Sequence, residues 1–169
     1  MDAKDLLNQY AGGQRNFTGI NLSEAQLIGL DLSNIVLRSA LLNVVNFSSA
    51  NLTGADLQQA QLNVSRLTGA NLSKANLSSC KLNVANLIRT VLVNANLSAA
   101  SLIRAEMLRA NLSGAQLVGT DLSEADLREA RLRQTNLCDA NLSRADLRNS
   151  ILAGAQLEQA TLNYVNADR

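Results

Sequence analysis

Acidic residues in the C-terminal half recur at a spacing that could support acid–base or metal chemistry. Glu106, Asp126 and Asp146 lie twenty residues apart, and Arg128 and Arg148 follow the last two by two positions. A pair of carboxylates carries out glycoside hydrolysis, and clustered carboxylate oxygens bind calcium. Because arginines recur at the same interval, we expect a solvated face that neutralises itself rather than a catalytic or metal site.

Other groups that enzymes use are missing or badly placed. The chain has no histidine, which removes the side chain that most often serves as general base and metal ligand. Cys80 and Cys138 are expected too far apart for a disulfide, and neither thiol has a histidine to activate it. We therefore expect no enzyme, with no catalytic, cofactor-binding or metal residues. The two free thiols indicate a reducing, cytoplasmic location.

A large apolar residue occupies every fifth position between residues 17 and 162. The series has thirty members, and all but three of them are leucine. Regular burial of this series would supply the core that the 2% aromatic content could not. We predict as core residues Phe17, Leu22, Phe47, Leu97, Met107 and Leu162.

The residues around each leucine fit a coil with short straight sides. Two positions earlier, alanine occurs in nineteen of the thirty units, and Asn or Asp lies between the two in sixteen. A period of five fits neither a helix nor a strand. An extended side ending in a turn keeps every leucine inside, and the glycines, which lie mainly just before the next small residue, suit such turns. Coils of this kind are stable only when stacked, as in a β-solenoid.

Longer echoes in the sequence indicate the number of sides. Leu-Asn-Val recurs at 42–44, 62–64 and 82–84, which is a spacing of twenty. Leu-Ile-Arg recurs at 87–89 and 102–104, which is a spacing of fifteen. The echoes favour four sides, and a three-sided coil is the alternative.

Several units resemble a known family. Ala-Asn-Leu-Thr-Gly (50–54), Ala-Asn-Leu-Ser-Lys (70–74), Ala-Asp-Leu-Arg-Glu (125–129) and Ala-Asp-Leu-Arg-Asn (145–149) are similar to the A(D/N)LXX motif of the pentapeptide-repeat family. The resemblance implies an all-β, right-handed quadrilateral parallel β-helix. With thirty units we expect about seven to eight coils. The β-helix would span residues 17–169.

Residues 1–16 lie outside the repeat and are predicted to form a short capping helix and a turn. Asp2 suits the N-cap, and Leu6, Leu7 and Tyr10 would form the apolar face. The segment 12–13, Gly-Gly, would end the helix. This segment resembles the cap of cyanobacterial members of the family.

The C-terminal end poses the same covering problem. Either Tyr164 and Val165 fold over the last coil, or two molecules meet end to end as a homodimer. No apolar run is long enough to span a membrane.

The outer surface holds the residues that could recognise a partner. We interpret Asn43, Asn63 and Asn83 as stacked amides that hydrogen-bond along the rod. Apolar residues and arginines beside them form one patch at a single corner, rimmed by charge as protein interfaces often are. The alternative is that valine merely favours extended backbone and packs against adjacent turns. The candidate interaction patch comprises Leu41, Val44, Val64, Val84, Ile88, Arg89, Ile103, Arg104, Leu108 and Arg109.

These features favour a non-enzymatic scaffold that binds an unknown protein partner through its outer faces. The resemblance also implies a second function, mimicry of duplex DNA to inhibit a topoisomerase such as gyrase. Mimicry needs strong negative charge, and the chain has a net charge of +1. Direct nucleic-acid binding is disfavoured because no dense basic stripe or stacking aromatics occur.

Overall fold

Each five-residue unit contributes one extended residue and one β-turn to a continuous coil. In the computed structural model, which describes residues 3–168, parallel bridges join residues twenty apart, from Asn16 with Val36 to Asp146 with Asn166. A coil therefore has four sides of one unit each. The four-sided prediction is confirmed, and the three-sided alternative is wrong.

The regular elements are one helix and a set of very short strands. Helix α1, Ala3–Ala11, is the only helix among the described residues, and each strand is a single bridged residue. Within residues 3–168 no helix has the length and apolar character needed to cross a membrane. We number the positions of each unit from the small residue, so that Asn or Asp is second, leucine third, and the turn occupies the fourth and fifth.

Backbone hydrogen bonds pair four of the five N–H groups in a unit. Around Leu97, the N–H groups of Asn96, Leu97 and Ala99 donate to carbonyls of neighbouring coils at 2.9, 2.7 and 2.9 Å. The Ala100 N–H donates to the Leu97 carbonyl at 3.0 Å and closes the turn. The fourth-position N–H, that of Ser98 here, has no backbone acceptor, so a side chain or water must supply one.

The fifth residue of every unit from Gly19 to Tyr164 has left-handed backbone, with φ between 53° and 73°. A positive φ at this place is what a type II turn requires, and it explains why glycines collect there. The expectation that the glycines are turn residues is confirmed at seven of these positions. Most of the others carry polar side chains.

Third-position side chains point inward and form one continuous core with the small first-position residues. The prediction for Leu162 is wrong: its exposed fraction is 47%, because no later coil of the described residues lies over it. The buried core residues include, as predicted, Phe17, Leu22, Phe47, Leu97 and Met107.

Helix α1 packs its apolar face against the first coils. Leu6 is fully buried in the core, and Leu7 and Tyr10 are partly buried against it. The Tyr10 hydroxyl donates to the Ser33 carbonyl at 2.8 Å, and the Arg15 guanidinium lies 3.8 Å from the centre of the tyrosine ring. The predicted apolar face of the helix is confirmed.

The helix ends at Ala11, and Gly13 follows with a φ of 96°, as the predicted glycine stop requires. The expected N-cap, Asp2, lies outside the described residues. The boundary between a cap at 1–16 and a β-helix at 17–169 stays a prediction.

Candidate interaction surface

Asn and Asp at the second position supply the acceptor that the fourth-position N–H lacks. Among the described residues, all sixteen accept the N–H two residues later through Oδ1, at 3.0 to 3.2 Å. This arrangement is an Asx turn. The preference for Asn and Asp is therefore a backbone requirement and carries no information about a partner.

One corner of the rod takes this acceptor from the preceding coil. Asn43 Oδ1 accepts the N–H of Asn63 at 3.1 Å, Asn63 accepts that of Asn83 at 3.1 Å, and Asn83 accepts that of Ile103 at 3.0 Å. The predicted hydrogen bonding of these asparagines along the rod is confirmed, but the donors are backbone N–H groups and not the stacked side-chain amides. Within residues 3–168 this arrangement occurs at this corner alone.

Because this ladder of asparagines supplies these acceptors, the second positions on the adjoining side of the rod do not need Asn or Asp. Its second positions carry Leu41, Gln61 and Lys81, none of which could form an Asx turn. Leu41 is half-buried, whereas Lys81 is exposed. At Gln61 and Lys81 the sequence departs from its usual pattern without leaving the next fourth-position N–H group unpaired, whereas the Asn43 N–H after Leu41 has no acceptor among the described residues.

Val44, Val64 and Val84, which we call the valine column, follow the ladder at the fifth position. Their φ angles are 60°, 59° and 58°, and their exposed fractions are 50%, 53% and 53%. A β-branched residue with positive φ is a genuine conformational outlier. Among the described residues with positive φ, these three alone are β-branched. The first half of the alternative, that valine favours extended backbone here, is wrong, because the backbone at these residues is left-handed; that the valines pack against adjacent turns stays a prediction.

The remaining patch residues occupy two corners instead of the single corner we expected. Ile103 and Arg104 continue the column that contains Val84, because a coil has twenty residues. Ile88 and Arg89 lie one side further on, and with Leu108 and Arg109 they form what we call the arginine corner. The Leu-Ile-Arg repeat at a spacing of fifteen relates equivalent positions on neighbouring sides of the coil. The prediction that these residues share one corner was therefore wrong.

Ion pairs fix two arginines of the patch. Arg104 Nε lies 2.7 Å from Glu124 Oε2, and Arg109 Nε lies 2.7 Å from Glu129 Oε2. Hydrogen bonds from these guanidinium groups lower the pKa of Glu124 and of Glu129. Both pairs run along the rod between successive coils and are exposed, so they contribute little to stability.

A surface groove of about 390 Å³ adjoins the arginine corner. Its walls are Arg89, Val91, Arg109, Asn111, Glu129 and Arg131. Since Glu129 neutralises Arg109, the groove keeps two arginines without an ion pair among the described residues. The apolar and basic surface therefore continues past the second corner.

The carboxylate column behaves as a set of ion pairs. Asp126 and Asp146 are bridged neighbours, and Arg128 Nη2 and Arg148 Nη2 each lie 2.6 Å from the carboxylate two residues earlier. These hydrogen bonds hold the pKa of Asp126 and that of Asp146 below the ordinary range. Asn86 donates to Glu106 at 2.9 Å. An acid catalyst would need a raised pKa, so the geometry favours the self-neutralising face.

No group of three or more Cys, Asp or Glu within residues 3–168 is placed to hold a metal ion. Cys80 is buried with its Sγ donating to the Leu57 carbonyl at 2.7 Å, and burial raises its pKa to about 12. Cys138 donates to Glu158 at 3.1 Å, and this bond raises the pKa of the thiol. Both cysteines are free. Raised pKa values leave neither thiol reactive at neutral pH.

The last described coil exposes apolar residues. Ile151, Leu162 and Tyr164 are exposed by 37%, 47% and 85%, whereas Val165 packs partly buried against the core. The expectation that Tyr164 folds over the last coil is therefore wrong, and it holds only for Val165.

The sequence matches the family model for pentapeptide repeats in eight copies, over residues 14–43, 46–83, 84–117, 105–144 and 140–169. The chain belongs to the pentapeptide-repeat family. Pentapeptide-repeat proteins fold as right-handed quadrilateral β-helices and are generally non-enzymatic scaffolds. The coil described above agrees with that fold. No curated protein matches the sequence.

Solved pentapeptide-repeat structures resemble this chain along most of its length. HetL, involved in heterocyst differentiation regulation in the cyanobacterium Nostoc sp. strain PCC 7120, is 29% identical, with 96% of this chain and 95% of HetL covered and a TM-score of 0.52. Another pentapeptide repeat protein from Nostoc PCC 7120 is 31% identical over 65% of this chain and 80% of its own, with a TM-score of 0.50. QnrB1, a plasmid-mediated fluoroquinolone resistance protein, is 18% identical over 91% of this chain and 89% of its own, with a TM-score of 0.67, and shows the fold alone.

Two features of the surface escaped the sequence reasoning. The left-handed backbone of the valine column was one, and the hydrogen bonding of many fourth-position N–H groups to side-chain acceptors was the other. A signal for the second was present: at 43, 63 and 83 Asn occupies the fourth position where the second position lacks Asn or Asp. That exchange marks the altered corner.

Proposed function

We propose that this protein is a non-enzymatic scaffold that binds a protein partner through two adjacent corners of its rod. One observation carries the proposal: the valine column exposes apolar side chains in a conformation that valine adopts only at a cost. Strained residues persist where the surroundings or a function require them. The arginine corner, one side away, extends the surface with half-buried Ile88 and Leu108 beside exposed arginines.

The similarity to HetL supports a regulatory role for the scaffold. HetL takes part in heterocyst differentiation regulation, and a rigid rod without catalytic groups can regulate only through contacts. We infer a cytoplasmic location, because the two free cysteines suit a reducing compartment. A cyanobacterial type of N-terminal cap is part of the same proposal.

Mimicry of DNA receives less support from the charges. Five acidic residues on the rod pair with arginines, as Asp56 does with Arg38 at 2.6 Å and Asp146 does with Arg148 at 2.6 Å. A mimic has to present an uncompensated row of negative charge, as phosphates do. A gyrase supercoiling assay tests this alternative, and inhibition at micromolar protein would favour mimicry over the scaffold.

The exposed last coil suits pairing with a second copy of the chain. We propose a homodimer in which Leu162 and Ile151 are covered by the same residues of the partner. Light scattering at tens of micromolar should give the mass of a dimer. A monomeric mass would refute the pairing, and Leu162→Asp tests whether this end forms the contact.

The scaffold proposal is tested by capture of partners with a paired variant. Val64→Asp together with Leu108→Asp should leave the circular dichroism spectrum unchanged and remove the partner that the unaltered protein retains from a native lysate. Val118→Asp, at a different corner, is the control and should retain it. Retention of the partner by the double variant would refute the surface.

A further inference from the structure

The valine column is the most unusual surface on the rod because two independent departures coincide there. The backbone places valines where glycine or asparagine would be relaxed, as the chain itself does with Asn34, Asn94 and Asn149 at equivalent positions. The ladder of Asn43, Asn63 and Asn83 lies beside them and frees the adjoining side. The ladder keeps backbone N–H groups paired, whereas the left-handed valines improve neither the core nor the backbone pairing, which favours an external contact at the valines.

The charges around the column are one-sided. Residues 57–105 contain neither Asp nor Glu and five basic residues, a formal charge of +5, while the rest of the chain has ten basic and fourteen acidic residues, a charge of −4. The net +1 therefore hides a cationic belt in the middle of the rod. The five basic residues of the belt are Arg66, Lys74, Lys81, Arg89 and Arg104.

Four of these five cations surround the valine column. Lys81 lies on the side before the corner, and Arg66 lies on the side after it. Arg104 follows Val84 in the same column, and Arg89 lies at the arginine corner. The cations thus border the exposed valines from both flanks and from one end, while the exposed Glu24 lies at the other end, one coil before Val44.

Three of the four cations lack a partner. Within residues 3–168, the side chains of Arg66, Lys81 and Arg89 make no ion pair and no hydrogen bond, and all three are exposed. Elsewhere within residues 3–168, Arg38 and Arg128 meet a carboxylate, whereas Arg131, Arg133 and Arg144 have no ion pair. A partner with carboxylates would complete the pairs missing here.

The spacing of the valines discriminates between partner conformations. Successive valines stand one coil apart, about 4.8 Å. Residues three or four apart on one face of an α-helix advance about 4.5–6 Å along its axis. Alternate residues of an extended strand advance about 6.6–6.8 Å and lose register by the third valine. The column therefore fits the apolar stripe of a helix laid along the corner.

We propose that the valine column is the docking site for an acidic amphipathic helix of a protein partner. Apolar side chains of that helix contact Val44, Val64 and Val84, and its flanking Asp or Glu residues pair with Lys81 on one side and with Arg66 on the other. This inference rests on the proposed scaffold function and adds the chemistry of the partner. Phosphates of a nucleic acid would satisfy the cations but would leave the valines uncovered.

Fluorescence anisotropy with a synthetic probe tests the site directly. The probe is a labelled helical peptide of about five turns with leucines on one face and glutamates flanking them. It should bind the full chain, and affinity should fall as NaCl rises from about 0.05 to 0.5 M. A peptide with lysines in place of the glutamates, a polyglutamate and a short DNA duplex serve as comparison ligands and should bind more weakly.

Matched variants then locate the contact. Lys81→Glu and Val64→Asn should each weaken binding of the acidic peptide by about tenfold or more. Lys74→Glu makes the same charge change within the belt but at the opposite corner, and it should bind as the unaltered protein does. Equal losses for Lys74→Glu and Lys81→Glu would overturn the docking site, because only overall charge would then matter.

The outcomes separate this inference from the scaffold proposal. Failure of the acidic peptide to bind, while the double variant at Val64 and Leu108 still loses its native partner, would refute the helix and keep the scaffold. Tighter binding of the DNA duplex than of the peptide would also overturn the inference, in favour of nucleic acid. If the double variant also retains its native partner, both proposals are refuted.

Discussion

Replacing the valine column with asparagine should stabilise the protein, although the change removes apolar side chains. The variant is Val44→Asn with Val64→Asn and Val84→Asn. Asparagine tolerates left-handed backbone, and the chain already uses it at Asn34 and Asn94 with φ of 57° and 56°. The substitution therefore keeps the turn and removes a steric conflict.

The expected magnitude follows from two opposing effects. Left-handed backbone costs an L-residue roughly 1–2 kcal/mol, and asparagine recovers part of this cost. Each valine is about half exposed, so its two methyl groups contribute only about half of ~0.8 kcal/mol each to burial. The net gain is about 0.5 kcal/mol per site and about 1.5 kcal/mol for the triple variant. For a chain of this size that raises Tm by roughly 3–6 °C.

Guanidinium unfolding followed by circular dichroism, together with a thermal scan, measures the effect. Val118→Asn is the control, since Val118 lies at the fourth position and does not have positive φ. The control loses burial with no relief of strain, so its stability should fall. A triple variant that is less stable than the unaltered chain would refute the reasoning, because contacts within the column would then outweigh the strain.

Three further predictions concern the backbone network and the ion pairs. Ser65→Ala should stabilise the chain by up to about 1 kcal/mol, because the buried Ser65 hydroxyl has no hydrogen-bond partner. Thr90→Ala should destabilise the chain, because it removes the hydrogen bond from Thr90 Oγ1 to the Leu67 carbonyl at 2.7 Å. The midpoints of urea unfolding compare the two variants. Asn96→Ala should cost about 1 kcal/mol by removing the acceptor of the Ser98 N–H, and Asn96→Asp should restore it, as hydrogen exchange at that amide would show. The fold lowers the pKa of Asp146, so the contribution of this residue to stability is present above its unfolded pKa, near 3.8, and is lost as pH falls through the folded value. The Asp146→Asn variant should therefore be slightly less stable than the unaltered chain at pH 7 and equally stable at strongly acidic pH. An equal difference in stability at both pH values would contradict this.

The buried residues could be predicted from the sequence because burial depends mainly on a residue's position within one five-residue unit. Leucine every fifth residue has one geometry in which all members share an interior, and Leu97 and Met107 lie where that rule puts them. Leu162 is not buried, because a third-position residue needs a coil or helix α1 on each side of it, and no described coil follows Leu162. The expected total of seven to eight coils stays a prediction.

The neighbours of a surface residue were harder to predict, because they depend on which residues of successive coils lie above one another. Ile88 and Ile103 share a sequence context but lie at different corners, since only a spacing of twenty stacks residues directly. The conformation of Val64 could not be derived from valine itself, which prefers extended backbone. Position within the turn overrides that preference, and position follows only once the coil is known.

Backbone pairing leaves few places on this rod where sequence can vary for the sake of a partner. The core requires the first and third positions, the fourth-position N–H group favours Asn or Asp at the second, and left-handed backbone restricts the fifth. A place where one of these requirements is met in another way is therefore informative about a partner surface. In the ladder from Asn43 to Asn83, fourth-position asparagines accept the N–H groups that second-position Asn or Asp accept elsewhere. The second position of that unit can therefore carry Lys81. The valines beside it violate the fifth-position preference. At this corner the ladder compensates one exception with hydrogen bonds, and the valines leave the other as backbone strain. We therefore infer that this corner is the surface that recognises a partner.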